Sequence, residues 1–265
     1  MNIFNFEFKR NLTNTIIWTV AIIMIGLFYT AMGPVFLDQS DLLYDFMVGM
    51  GEDFLKGLGI NFDTFFTPVG FYAYIGGFIG LALGIQATIY GIKAFVIEKN
   101  NHSVEFLYTK PASRTKLFFA KFCASGSLLF ITQVFVISSL YVFTDLINDV
   151  DYDHSLMLGL LITYIPLQFL FYTLGTLIGV SANRLKNVVS VSLMIGFVMF
   201  FMNMLGGIIE IKAFDYLSFF NYYNLGDISL TGEYDLNFVA LSLGLIGLFS
   251  ICSLIIYNKK DLKVI

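Results

Sequence analysis

Between Glu98 and Phe122 the chain reads EKNNHSVEFLYTKPASRTKLFFAKF and gathers seven ions: Glu98, Lys99, Glu105, Lys110, Arg114, Lys116 and Lys121. These side chains suit ion pairing and docking. No pair of groups among them could act as a nucleophile and its base. Pro111 should end a short helix, because the residue before a proline avoids the helical region. Ser113 is then placed to cap the helix that follows. Upstream, Asn101, His102 or Ser103 can begin a short helix carrying Glu105 in its first turn and Lys110 at its end, which suits the helix dipole. Arg114 and Lys121 are seven residues apart and share one helical face. Glu98 and Glu105 lie close enough in sequence to pair with them, and an isolated charge at a membrane edge is costly. A plain charged loop accounts for the ions but not for the Pro–Ser turn or the two acids.

Other reactive side chains are few. The only histidines are His102 and His154, and the only cysteines are Cys123 and Cys252 inside apolar runs. The cysteines read as small core residues, not a disulfide or a metal pair. No GxxxxGK[ST], HExxH, GxSxG or CxxC pattern occurs, so the chain is not expected to hydrolyse ATP by itself. No cofactor or metal is expected on it, and no catalytic residue is assigned. The polar groups in the middle of the apolar runs are neutral: Gln86, Gln133, Gln168 and Asn203. Hydrogen bonds between helices are their expected role; contact with cargo is the alternative. Met194, Met199, Met202 and Met204 crowd one run, and methionine adapts to varied apolar shapes. A candidate cargo path therefore comprises Gln86, Met194, Met199, Met202 and Asn203.

The elements that must position these residues follow from composition. Hydrophobic residues make up 57% of the 265 and charged ones 13%, against about 25% charged in soluble proteins. The expected fold class is an all-α integral membrane protein, a single domain over residues 1–265. A net charge of -4 argues against a nucleic-acid partner. Six apolar runs, approximately 15–37, 69–97, 117–143, 155–182, 188–209 and 238–257, are each long enough to cross a bilayer as a helix. The first is too long for a signal h-region and should stay in the membrane. Thirteen of the 15 basic residues fall in the termini and in the loops after the second and fourth runs. The positive-inside rule then puts both termini in the cytoplasm.

Three further segments have a shape. In residues 2–12, NIFNFEFKRNL, Phe4, Phe8 and Leu12 recur one turn apart, as in a cytoplasmic interfacial helix. The outer loop 38–68 carries apolar residues at helical spacing with GMG as a break. Residues 211–235 are too polar to span and rich in aromatics, and read as a re-entrant or surface-lying hairpin on the outer face before the sixth run. Gly76, Gly80 and Gly84 form one close-packing stripe, and Gly175 and Gly179 repeat its spacing. Packing within one subunit is the expected use, and a subunit interface the alternative.

The opening stretch resembles the signature of ABC-2 type permeases, in which an acidic residue precedes Gly-Thr and a Leu-Leu stretch, followed by Pro-x-Ser-Arg and then Lys. Glu98, Ser103, Glu105, Phe106-Leu107, Pro111, Ser113, Arg114 and Lys121 occupy those places, and His102 stands where glycine is customary. FEFKRNLTNTIIW, FTPVGFY, YLSFFNYYNLGDI and YNKKDLKV resemble the family's opening, second-helix entry, outer segment and end. The resemblance implies the membrane subunit of a bacterial ATP-binding-cassette exporter, sited in the cell membrane. Glu98, Ser103, Glu105, Leu107, Pro111, Ser113, Arg114 and Lys121 would belong to a coupling helix that docks on a separate ATPase subunit. That partner would hold the ATP and magnesium, and a second permease subunit would complete a dimer amid membrane lipid. Small members of such families in Gram-positive bacteria often export antimicrobial or amphipathic cytolytic peptides. The expected cargo is thus an amphipathic peptide or a lipid. An ion-coupled transporter, or an immunity or scaffold protein without its own transport cycle, is the alternative.

Overall fold

A computed structural model describes residues 3–51, 55, 60, 62–100, 113–147, 151–209 and 212–259. Every regular element among them is helical. Six helices are long and apolar enough to cross a membrane: Ile3–Phe36, Pro68–Val96, Arg114–Ile147, His154–Ser181, Val188–Ile209 and Leu236–Lys259. They are called the first to sixth spans below. This is the architecture that 30 Å of hydrocarbon demands of a chain whose backbone must satisfy its own hydrogen bonds.

Local chemistry explains the ends and breaks. The first span belongs to one 36-residue helix, Ile3–Asp38, that runs unbroken from the N-terminal segment. The expected interfacial helix is therefore not a separate element, and its buried face is the polar one. Glu7 and Asn11 are buried while Phe4, Phe8 and Leu12 are half-buried. The reason is that Glu7 meets a cation on the third span, which outweighs amphipathic docking on a surface. The fourth span, expected as one helix, is two: His154–Ile162 and Tyr164–Ser181. Pro166 lacks an N–H and its ring opposes the carbonyl four residues back, so the ladder cannot run through Thr163. Asp153 caps the first piece, accepting from the amides of Ser155 at 2.8 Å and Leu156 at 3.1 Å. Its carboxyl is held below the usual range by the Ser155 hydroxyl and then by those two amides.

In the loop after the first span, Ser40–Met50 is helical and stops at Gly51, whose φ of 86° suits glycine. This is the GMG break expected there. Before the sixth span, short helices at Lys212–Leu217 and Leu225–Thr231 flank a 3-10 turn at Asn221–Tyr223. Between them Phe219, Phe220, Tyr222 and Tyr223 are buried. Phe220 reaches Phe171 of the fourth span at 5.4 Å and Phe200 of the fifth at 5.6 Å between ring centres. The segment thus folds back against the fourth and fifth spans, and is called the re-entrant segment below.

The second span is the axis of the fold: 83% of its apolar window is buried, against 11% for the fifth and sixth spans. The glycines account for this: Gly76, Gly80 and Gly84 of the first stripe admit the side chains of Tyr164, Leu167 and Phe171, while Gly175 of the second stripe and Gly91, outside both, admit backbone. A Cβ on Gly91 would lie 2.4 Å from the Tyr172 carbonyl oxygen, and one on Gly175 would lie 2.6 Å from that of Thr88. The second and fourth spans therefore touch backbone to backbone, which only glycine permits. The stripe is used within one subunit.

Candidate functional site

Three groups of polar residues sit inside this frame. The first lies where the third span begins. Ser113 caps it, accepting from the Lys116 amide at 3.3 Å, as the sequence implied. Arg114 Nη1 donates to the Asn258 carbonyl at 3.2 Å, so a cation satisfies the exposed end of the sixth span's helix. Lys121, two turns on, is 1% exposed. Its Nζ donates to the Ala94 carbonyl of the second span at 3.1 Å and lies 3.8 Å from Glu7 Oε1 of the first span. Arg10 pairs with the same carboxylate. The Phe95 ring lies 6.0 Å from the Lys121 ammonium. Phe118 packs Phe95 at 5.1 Å and Tyr257 at 5.7 Å between ring centres, closing the cluster with apolar walls. Four spans are thereby tied at one end of the bundle.

Of the other residues assigned to coupling, Glu98 lies in the last turn of the helix Pro68–Asn100. Ser103, Glu105, Leu107 and Pro111 lie outside the described residues.

The second group is a seam of neutral side chains. Gln168 Nε2 donates to Gln86 Oε1 at 3.1 Å, and Gln86 Nε2 to Thr132 Oγ1 at 3.3 Å. Thr132 also meets Thr19 at 2.9 Å, Thr15 meets Tyr90 at 2.8 Å, and Gln133 Nε2 donates to the Tyr164 carbonyl at 2.8 Å. Gln86, Gln133 and Gln168 are all fully buried. Their bonds are the helix-to-helix contacts expected, and the structure places Gln86 within this subunit's bundle and not on a surface. Sequence reasoning missed Glu7, Asn11, Thr15 and Thr19, which the structure buries along the first span. Their spacing of four residues on an otherwise apolar helix was the readable signal.

The third group surrounds a cavity of about 80 Å³ between the second, fourth and fifth spans and the re-entrant segment. Tyr74, Phe78, Phe200, Phe220 and Tyr223 wall it, with Tyr164 and Asn203 contributing polar groups. Tyr164 heads the second piece of the fourth span, so the Pro166 break sets its position. Asn224 caps the re-entrant segment's last helix through the amides of Gly226 and Asp227. Burial lifts the nearby Asp227 carboxyl above its usual range and the Tyr223 hydroxyl above that of a free phenol. Of the expected cargo path, Asn203 lines this cavity. Met194 is 60% exposed on the outside of the fifth span, and Met199 and Met202 are half-buried. These residues do not form one lining.

No curated protein matches the sequence. A family model described as ABC-2 family transporter protein matches residues 1–262. The match covers nearly the whole length, including the charged segment and all six spans, and the chain belongs to the ABC-2 family of transporter membrane proteins.

Proposed function

We propose that this chain is the permease subunit of an ATP-driven exporter in a bacterial cell membrane. It pairs with a second permease subunit and with separate ATPase subunits, which bind the ATP and magnesium, and it moves an amphipathic peptide or lipid outward. The observation that carries this reading is the tie at the start of the third span. Lys121 and Arg114 join that span to the first, second and sixth just after the charged segment. A partner pressing on that segment would move four helices together. The amphipathic cargo is supported by the bundle's surfaces: the fifth span exposes Met194, Phe197, Val198 and Phe201, with no charge among them.

The test is ATP hydrolysis by the reconstituted permease–ATPase complex. Amphipathic helical peptides or lipids should stimulate it, and Glu105→Ala or Arg114→Ala should blunt that stimulation while the protein stays in the membrane. Stimulation by a hydrophilic sugar or ion alone would overturn the cargo class. Normal export by both variants would overturn the coupling role.

Orientation has its own check. In a background without Cys123 and Cys252, cysteines at Asp151 and Asp227 should react with an impermeant thiol reagent added outside intact cells, and one at Asn183 should not. Labelling at Asn183 would reverse the topology.

A further inference from the structure

The cavity between the second, fourth and fifth spans contains a polar group that the fold leaves unsatisfied. Tyr164 is 1% exposed. Its hydroxyl has no hydrogen-bond partner among the described residues. The hydroxyl lies against Gly76, where a Cβ would stand 2.7 Å from it. The Asn203 amide, on the facing fifth span, is likewise unpartnered among the described residues. Buried polar groups are almost always hydrogen-bonded, so each exception calls for a reason. The Tyr164 hydroxyl is such an exception, the half-buried Asn203 borders the same space, and Gly76 and Gly77 also line it. The walls are aromatic, and no acidic or basic side chain lines them.

From these features we infer that the cavity is a binding pocket for one neutral, flat, apolar-bodied group that also carries a hydroxyl or carbonyl. Aromatic walls favour a ring through stacked and edge contacts. The lack of a charged lining residue would leave an ion unpaired, which excludes charged ligands. A hydroxyl on the ligand can both accept from Tyr164 and donate to the Asn203 carbonyl oxygen. A cavity of about 80 Å³ takes one side chain and not a whole cargo molecule. Pockets for complete drug-sized ligands run to roughly 300 Å³ or more. The phenol or phenyl side chain of an amphipathic peptide has the required size and neutrality. The last step, from ring to cargo peptide, rests on the permease reading above; the pocket itself does not.

Binding is tested on the full chain alone, in lipid nanodiscs, with a diazirine-substituted phenol as the photoprobe. Adducts should concentrate on the segments around Tyr74–Phe78, Tyr164 and Phe200–Met204, saturate, and be displaced by p-cresol better than by toluene. Tyr164→Phe removes only the hydroxyl. It should weaken competition by p-cresol about tenfold, the worth of one buried hydrogen bond, and leave competition by toluene unchanged. Asn203→Leu should act in the same direction, so that a folding defect in either variant does not decide the matter. An amphipathic helical peptide with a tyrosine or phenylalanine on its apolar face should displace the probe, and diacylglycerol should not.

Adducts scattered along the exposed faces of the first, fifth and sixth spans without saturation would mean partition into the bilayer only, and would overturn the pocket. So would equal loss of p-cresol and toluene competition in Tyr164→Phe. Displacement by diacylglycerol and not by peptide would overturn the peptide assignment. The assay contains no ATPase. Phenol binding without peptide-stimulated hydrolysis in the assembled complex would therefore keep the pocket and reject the permease reading, and the converse result would do the opposite.

Discussion

Lys121→Met is expected to lower the apparent melting temperature of the detergent-solubilised protein by about 10 °C. The cause is the carboxylate it leaves behind. Glu7 is 2% exposed and faces the Lys121 ammonium across the contact between the first and third spans. Removing Lys121 takes one cation from a buried carboxylate that Arg10 still pairs with, so the loss lies at the lower end of the ~3–5 kcal/mol that breaking a buried ion pair costs. For a chain of this size each kcal/mol is worth roughly 2–4 °C. Glu7→Gln should cost at least as much, because the Lys121 ammonium and the Arg10 guanidinium both lose that carboxylate. The double variant Glu7→Leu, Lys121→Met should recover part of the loss, since apolar side chains replace the buried pair at little cost while Arg10, 26% exposed, gives up its carboxylate partner to solvent. Melting curves of the four proteins, read as a double-mutant cycle, measure the coupling. Additive losses would show that the two charges do not stabilise one another.

Gly175→Val is expected to abolish the monodisperse species altogether. A Cβ at Gly175 would stand 2.6 Å from the Thr88 carbonyl oxygen and 3.0 Å from its Cα. At Gly91 the Cβ would meet the Tyr172 oxygen at 2.4 Å and the Thr176 nitrogen at 2.6 Å. These are backbone atoms of the facing helix and cannot turn aside as a flexible side chain would. The second and fourth spans must part, and the buried seam from Gln168 to Gln86 parts with them. Overpacking alone costs ~1–3 kcal/mol in cores that can adjust; a backbone clash with loss of buried hydrogen bonds adds to that. Gly244 and Gly247 provide the control, since a Cβ on either meets nothing within 4 Å. Alanine there should be neutral or stabilising by up to ~1 kcal/mol, the ordinary helix preference for alanine. Size-exclusion profiles of fluorescent fusions separate the cases, and a normal peak for Gly175→Val would refute the contact.

The spans were legible because a bilayer imposes one length and one polarity on every crossing segment. Ser113 and Gly51 were legible for a similar reason: a cap or a helix stop is decided by residues within a turn of it. Pro166 carried the same kind of local signal. It was lost in a long apolar run, and with it the break at Thr163 that orients Tyr164. The N-terminal segment misled differently. Its apolar residues recur one turn apart, yet Glu7 and Asn11 are on the buried face, because the partner that reverses the preference lies on another helix. Lys121 also meets Glu7, which comes from the far end of the chain and which no rule of sequence distance pointed to.

By itself the sequence determined the number of crossings, the sorting of basic residues to alternate loops, the absence of charge at mid-span, and a set of caps and breaks. All of these are settled by the solvent and by neighbours within about one helical turn. Tertiary structure alone decided which faces meet. It assigned the glycine stripes to a contact within the subunit and joined Gln86 to Gln168 across a separation of 82 residues. It also set Arg114 on the carbonyl of Asn258, 144 residues away, and gathered Tyr164, Asn203 and Phe220 around one cavity. The physical reason is that helix propensity and hydropathy are nearly the same all round such apolar helices, so periodicity does not mark a buried side. The side is chosen by close packing and by the pairing of a few polar groups, and both depend on residues that only the folded bundle brings together.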